Sequence, residues 1–154
     1  MRLHELVSRL GGTLQSPTAE LSPEILDVHL DSRRASSGVL FAALPGTRDD
    51  GGRYALDAIA RGAAAVLAPR LPAPLEAAGG AARTPLWLHG EARRVAGQAA
   101  ALVHGEPVRD QRVVGVTGTN GKSTVAHLVA GLLRHAGHRP AVVGTVEVRL
   151  WNAE

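Results

Sequence analysis

Arg112-Val-Val-Gly-Val-Thr-Gly-Thr-Asn-Gly-Lys-Ser-Thr124 is the stretch from which the rest of the chain is read. It opens with Val113, Val114 and Val116, a β-branched run suited to a buried parallel strand. Gly115, Gly118 and Gly121 follow, with Thr117, Thr119 and Asn120 between them. Lys122-Ser123-Thr124 then leads into Val125, Leu128, Val129, Leu132 and Leu133, an apolar stripe of helical period closed by Gly137. Strand, glycine-rich turn and helix start together predict a phosphate-binding loop.

Each residue type has a physical reason to be there. Glycine lets the backbone take positive φ and approach a phosphate closely, so that N–H groups point at the anion. Lys122 would set an ammonium on the terminal phosphates, and the Ser123 hydroxyl stands where such loops hold Mg²⁺. The general pattern G-x-x-x-x-G-K-[ST] places a glycine at position 116, where this chain has valine. Lys122 is nonetheless the only lysine among 17 basic residues; all the others are arginine. A compact ammonium at this one position, against an arginine background, marks a site where the two side chains are not interchangeable.

Outward from the loop, composition sets limits. The 154 residues make room for one ordinary domain or two small ones, and 45% apolar content supports a real core. Aromatics are only 3%, so that core must be built from Ala, Val and Leu. There is no cysteine, which excludes disulfides and thiolate-held metal and suits a reducing cytosol. The net charge is +3, but no run of arginines exceeds two and few rings are available to stack on bases, so no nucleic-acid partner is expected. No apolar run approaches the roughly 20 residues that span a bilayer. No membrane partner is expected, and the expected place is the cytoplasm.

Taken in order, Leu3, Leu6, Val7 and Leu10 predict a short amphipathic helix stopped by Gly11-Gly12. A polar loop with Pro17 and Pro23 is expected next, then a short strand at Val28 and Leu30 with His29 as a surface residue that has no partner to make it a ligand. Val39–Leu44 predicts a buried strand ending at the turn Pro45-Gly46. Tyr54, Leu56, Ile59 and Ala60 predict a helix with Asp57 and Arg61 paired at i,i+4, and 63–68 a strand of small residues. Residues 69–85, with four prolines, predict a surface excursion holding one helical turn. Leu86–Leu88 predicts a strand with Trp87 as a packing residue, and Val95, Ala99, Leu102 and Val103 a helix over 91–104. Ala141–Val146 predicts a further buried strand. His135 and His138 stand at i,i+3 but lack a visible third ligand, so no metal is assigned to them.

Two separated signatures carry a resemblance. Gly115–Thr124 resembles the ATP loop of the Mur ligases and the related folylpolyglutamate and cyanophycin synthetases, whose loops tolerate valine at 116. Leu30-Asp-Ser-Arg33, Gly38-Val-Leu-Phe-Ala-Ala-Leu-Pro-Gly46, Asp50-Gly51, Tyr54, Ala58-Ile59, Gly62-Ala63 and Ala65-Val66 resemble the uridine-nucleotide-binding domain of the muramoyl-tripeptide synthetases in that family. The tetrapeptide-adding sister ligases share much of this pattern, but usually carry serines where this chain has Thr119-Asn120.

The resemblance implies an α/β fold: a small uridine-nucleotide-binding domain over 1–89, then the beginning of a P-loop, Rossmann-like ATPase domain over 90–154. It implies an ATP-dependent, amide-forming ligase. ATP phosphorylates the D-glutamyl side-chain carboxylate of UDP-N-acetylmuramoyl-L-alanyl-D-glutamate, and the amine of an amino acid attacks the acyl phosphate. Leu30 and Ser32 match positions that hold the uridine nucleotide, with Thr47, Arg48 and Asp49 on the loop beside it. Gly118, Thr119, Asn120, Gly121, Lys122, Ser123 and Thr124 match the ATP loop, with Lys122 in the catalytic role and Ser123 on Mg²⁺. A sister ligase and a non-catalytic UDP-sugar-binding module remain the alternative readings. Arg33 is equally open to a substrate role and to a salt bridge with Asp31, and Asp49 and Asp50 to capping the next helix. Only eight residues follow Val146, so the chain reads as the N-terminal portion of a ligase, monomeric and inactive alone.

Overall fold

The computed structural model describes residues 1–16, 22–47, 49–79, 84–145 and 148–151. The chain divides into two compact units, Met1–Gln111 and Arg112–Glu154.

In the first unit, α1 (Leu3–Leu10) buries Leu3 and Leu6, and Glu5 accepts the Arg2 amide at 3.0 Å to close its N-terminus. Gly11 ends it at φ 82°. The strands are β1 (Thr13–Gln15), β2 (Asp27–His29), β3 (Val39–Ala42), β4 (Ala65–Ala68) and β5 (Leu86–Leu88). They form one sheet in the order β1-β5-β4-β3-β2, parallel throughout except for β1, which pairs antiparallel with β5. Crossovers come through α2 (Ala55–Ala60) and α3 (Ala73–Ala77), and α4 (Ala92–Val103) follows β5.

The alternation of strand side chains sorts the core into two layers. Leu40, Ala42, Leu67 and Trp87 pack with Leu3 and Leu6 of α1 and with Val95 and Ala99 of α4. Phe41, Val66 and Leu86 pack with Ala55 and Ala58 of α2 and Leu75 of α3. Both faces of the sheet are therefore covered, and β3 and β4 are buried along their whole length. The surface excursion after β4 contains its helical turn, α3; residues 80–83 lie outside the described part.

Three expectations are corrected here. The expected loop after Gly12 begins with β1, whose strand state is set by pairing to β5 more than seventy residues later. His29, expected at the surface, is half-buried: its Nε2 lies 3.2 Å from Asp27, whose other carboxylate oxygen meets His104 at 3.0 Å. The compact units divide after Gln111 and not between 89 and 90, because α4 buries Ala92, Val95, Ala96 and Ala99 in the first unit and His104 at its end reaches β2.

The second unit holds α5 (Lys122–His135) and an antiparallel pair, β6 (Ala141–Val143) with β7 (Val148–Leu150). Arg134 and Arg149 each lie 5.4 Å from the centroid of the Trp151 ring. The strand expected at Val113–Val116 is not formed: Val113 is 72% and Val114 65% exposed. β-Propensity alone does not make a strand; it needs a paired edge and covered faces. The strand expected over 141–146 is shorter and not buried, and Val146 lies outside the described residues. No helix among the described residues is long and apolar enough to cross a membrane.

Candidate functional site

Two groups of the expected residues are gathered, one in each unit. In the first unit, adjacent parallel strands β2 and β3 deliver their following segments to the same, carboxyl-terminal edge of the sheet. Ligands of open parallel sheets bind outside this edge. Leu30 leaves β2 exposed at 66%, whereas Ser32 opens a 3-10 turn (Ser32–Arg34) and is only 7% exposed. Asp31 caps that turn by accepting the Arg33 amide at 3.0 Å, and its carboxylate is gripped by Arg33 Nε at 2.9 Å and Nη2 at 2.7 Å. The salt-bridge reading of Arg33 is thereby realised.

Arg33 holds the Asp31 carboxyl at about 2, first through the side-chain hydrogen bonds and then through the backbone amide. Because the folded value is depressed, the pair contributes fully above the ordinary carboxylate value of 3.8 and is lost as pH falls through about 2. A carboxyl-carbon NMR titration should place Asp31 near about 2, and Arg33→Ala should return it towards 3.8. An Asp31 titrating normally in the unsubstituted chain would contradict the geometry.

The segment after β3 is a closed turn. Pro45 and Asp50 bridge, the Gly46 amide donates to Asp49 O at 2.9 Å, and the Gly51 amide donates to Leu44 O at 3.0 Å. A Cβ on Gly51 would lie 2.6 Å from that same carbonyl, so only glycine fits the closure. Asp50 caps the next 3-10 turn by accepting the Gly52 amide at 3.0 Å. Asp49 instead takes the Tyr54 hydroxyl, the Asp50 amide at 2.9 Å and Arg53 Nη1 at 3.1 Å. The Tyr54 hydroxyl, the amide and Arg53 together hold Asp49 below the usual carboxylate range. Thr47 is exposed between these ties, and Arg48 lies outside the described residues.

Two ties at this edge were not read from the sequence, Asp57 to Ser32 and Arg93 to Pro45. Asp57 is held below the ordinary carboxylate range first by the Ser32 hydroxyl and then by Arg61, whose Nε is 2.9 Å away. Arg93, in the first turn of α4, donates from Nη2 to Pro45 O at 2.5 Å. The first has a partial signal in the Asp57–Arg61 spacing. The second spans 48 residues and has none in any local pattern.

In the second unit, the glycine-rich turn is exposed and ends in α5. Gly118 has φ 149° and Gly121 φ 76°, both conformations that side-chain-bearing residues rarely adopt. Gly121 caps α5 without a side-chain acceptor, so the amides of Lys122, Ser123 and Thr124 begin the helix as donors with no intrahelical partner. Lys122 folds back on the turn, its Nζ donating to Gly118 O at 2.7 Å and Thr119 O at 3.1 Å. An ammonium and a set of helix-start amides thus converge on one turn, a donor set that fits an anionic phosphate chain. The seven expected residues divide between this turn, Gly118 to Gly121, and the first turn of α5, Lys122 to Thr124. Among the described residues no group of three His, Asp or Glu side chains could hold a metal ion. A Mg²⁺ here would take Ser123 as a protein ligand and phosphate and water oxygens for the rest, the usual habit of that ion.

Comparison with known proteins shows the family. The family model "Mur ligase family, catalytic domain" matches residues 24–130. The UDP-N-acetylmuramoyl-L-alanyl-D-glutamate–2,6-diaminopimelate ligase of Streptomyces coelicolor is 42% identical over 148 residues, covering 96% of this chain and 28% of that protein. A solved structure of a ligase with the same name superposes with a TM-score of 0.64 at 30% identity, over 82% of this chain and 25% of that one. The MurF ligase of Thermotoga maritima, solved in complex with ADP, matches with a TM-score of 0.50 at 25% identity, over 77% of this chain and 25% of that one. The chain spans between a quarter and a third of the length of the curated relatives it matches. With a family match over more than half of its residues, and the α/β fold shared with solved ligases, this chain belongs to the Mur ligase family.

Proposed function

We propose that the chain supplies the UDP-muramoyl-substrate-binding domain and the ATP loop of a cytoplasmic ligase that adds the third amino acid to UDP-N-acetylmuramoyl-L-alanyl-D-glutamate. One observation carries the reading: the same chain holds the edge with Leu30, Ser32, Thr47 and Asp49 and a glycine-rich turn on which Lys122 lies among free helix-start amides. ATP supplies the phosphoryl group that activates the D-glutamyl carboxylate for attack by the incoming amine. The chain's own residues bind and orient. Leu30 offers an apolar surface for the uracil ring, and Ser32 and the 45–50 turn offer polar groups to the nucleotide sugar. Lys122 moves from two carbonyls to phosphate oxygens, neutralising charge that shifts during transfer. Ser123 holds Mg²⁺. The relatives' name makes 2,6-diaminopimelate the amino acid to test first.

Calorimetry tests the reading. The chain is expected to bind UDP-N-acetylmuramoyl-L-alanyl-D-glutamate saturably, with UDP competing, and to release no phosphate above background with ATP and 2,6-diaminopimelate. Turnover is not expected because the Val113–Val116 run before the ATP loop forms no strand, with Val113 and Val114 exposed, so the turn is not preorganised. Absence of substrate binding at millimolar concentration would refute the proposal, and phosphate release would refute the part that denies activity to the chain alone.

A further inference from the structure

We propose that Arg93 is a positioning residue for the uridine-nucleotide site, holding the 45–50 turn in its binding shape from the start of α4. The inference rests on the functional reading above.

The placement of this arginine needs a reason. The first turn of α4 carries Arg93 and Arg94 and no acidic residue. Cations at a helix N-terminus oppose the helix dipole. Arg94 is compensated locally, by Glu91 at 2.8 Å and by Gln98 at 3.0 Å. Arg93 has no such local pairing; its guanidinium instead crosses to the carbonyl of Pro45, 48 residues earlier.

The target is well placed. Pro45 begins the turn that closes through the Gly46–Asp49 and Pro45–Asp50 links. Those links fix the turn internally, and Tyr54 and Arg53 fix Asp49 from the far side. The bond from Arg93 is the tie that joins the turn to α4, the helix following β5. Pro45 has no N–H, so its carbonyl is its sole backbone hydrogen-bonding group. A charge-assisted bond to that carbonyl sets where Thr47 and Asp49 stand relative to Ser32 on the neighbouring segment.

The test compares Arg93→Ala, Arg93→Lys and the unsubstituted chain by calorimetry with UDP-N-acetylmuramoyl-L-alanyl-D-glutamate, each also melted thermally. Arg93→Ala should weaken binding about tenfold, because the turn must then be ordered as the ligand binds, while the melting midpoint falls by no more than about 2 °C, since an exposed bond of this kind adds little to the stability of the fold. Arg93→Lys should recover much of the affinity, since an ammonium can also donate to a lone carbonyl. Unchanged affinity in Arg93→Ala overturns the inference and leaves the functional reading standing. A loss that shrinks steeply with added salt would put the guanidinium on the ligand's phosphates, and also overturns it. An unsubstituted chain that does not bind refutes the functional reading and the inference together.

Discussion

Trp87→Ala is expected to cost about 3–5 kcal/mol, the range for a buried large aromatic truncated to alanine. That is a large share of the roughly 5–15 kcal/mol by which domains are stable, so the first unit should be largely unfolded well below its normal midpoint. Each kcal/mol moves the midpoint of a domain near this size by about 4–8 °C, which predicts a fall of at least 12 °C. The size of the effect follows from position. Trp87 is fully buried at the centre of β5, the strand between antiparallel β1 and parallel β4. Its ring fills the layer between Leu3 and Leu6 of α1 and Val95 and Ala99 of α4. Its Nε1–H donates to Gly11 O at 2.8 Å, fastening the end of α1 where the chain enters β1. The ring is closely packed there: a Cβ on Gly12 would sit 2.7 Å from that nitrogen. In a core built of Ala, Val and Leu, with 3% aromatics, no second ring takes over the role. Trp87→Phe separates the parts: it keeps a ring and loses the hydrogen bond, and should cost about 1–2 kcal/mol. Circular dichroism melts decide the matter. A midpoint within about 3 °C of the parent in Trp87→Ala would show that the β5 layer does not carry the unit.

What could be read in advance, and what could not, divides along the range of the interaction involved. The 3–10 helix was legible because Leu3, Leu6, Val7 and Leu10 repeat at helical spacing and Gly11 stops them within one turn. β3 and β4 were legible as unbroken apolar runs between turn signals, and the Asp57–Arg61 pair at 2.9 Å as an i,i+4 spacing. β1 was not, since Thr13-Leu-Gln15 has no strong pattern and becomes a strand only beside β5. The Val113–Val116 run had the pattern and did not become a strand, because nothing in the described second unit pairs with it. α4 was read correctly as a helix but assigned to the wrong side of the boundary. Its buried alanines and the Asp27–His104 contact belong to the first unit, and no window of sequence around 91–104 contains their partners. The binding loops behave the same way. The glycines and Lys122 were named from residue chemistry and Ser32 from the family resemblance, whereas the ties at that edge of the sheet, Arg93 to Pro45 and Asp57 to Ser32, depend on which segments the topology brings together. Of the two roles open to Arg33 in the sequence, the salt bridge is formed, by two short contacts to Asp31.

Lys122→Ala is expected to remove recognition of a polyphosphate while leaving the uridine-nucleotide site untouched. In the structure the ammonium is shared by two carbonyls of its own turn, 2.7 Å and 3.1 Å away. Those bonds keep Nζ on the glycine-rich turn that leads into α5. An arriving phosphate replaces neutral acceptors by charged ones, and hydrogen bonds to charged groups are worth about 1.5–3 kcal/mol. Loss of the ammonium should therefore weaken nucleotide triphosphate binding by roughly 10–150-fold. Lys122→Arg should rescue poorly, because a rigid planar fork does not fit a position that takes a compact point charge. The turn itself should survive the substitution, since Gly118 and Gly121 set its backbone. Affinity for the uridine-linked substrate should be unchanged, as Leu30, Ser32 and the 45–50 turn belong to the other compact unit. Phosphorus NMR is suited to the weak binding expected of the unsubstituted chain. The β- and γ-phosphate resonances of Mg²⁺–ATP should shift on titration with that chain and stay in place with Lys122→Ala, while calorimetry with the uridine substrate gives the same affinity for both. Equal shifts from both chains would mean that the one lysine in this arginine-rich sequence has no part in holding phosphate. Loss of uridine-substrate binding along with the shifts would mean that the two sites are not separable.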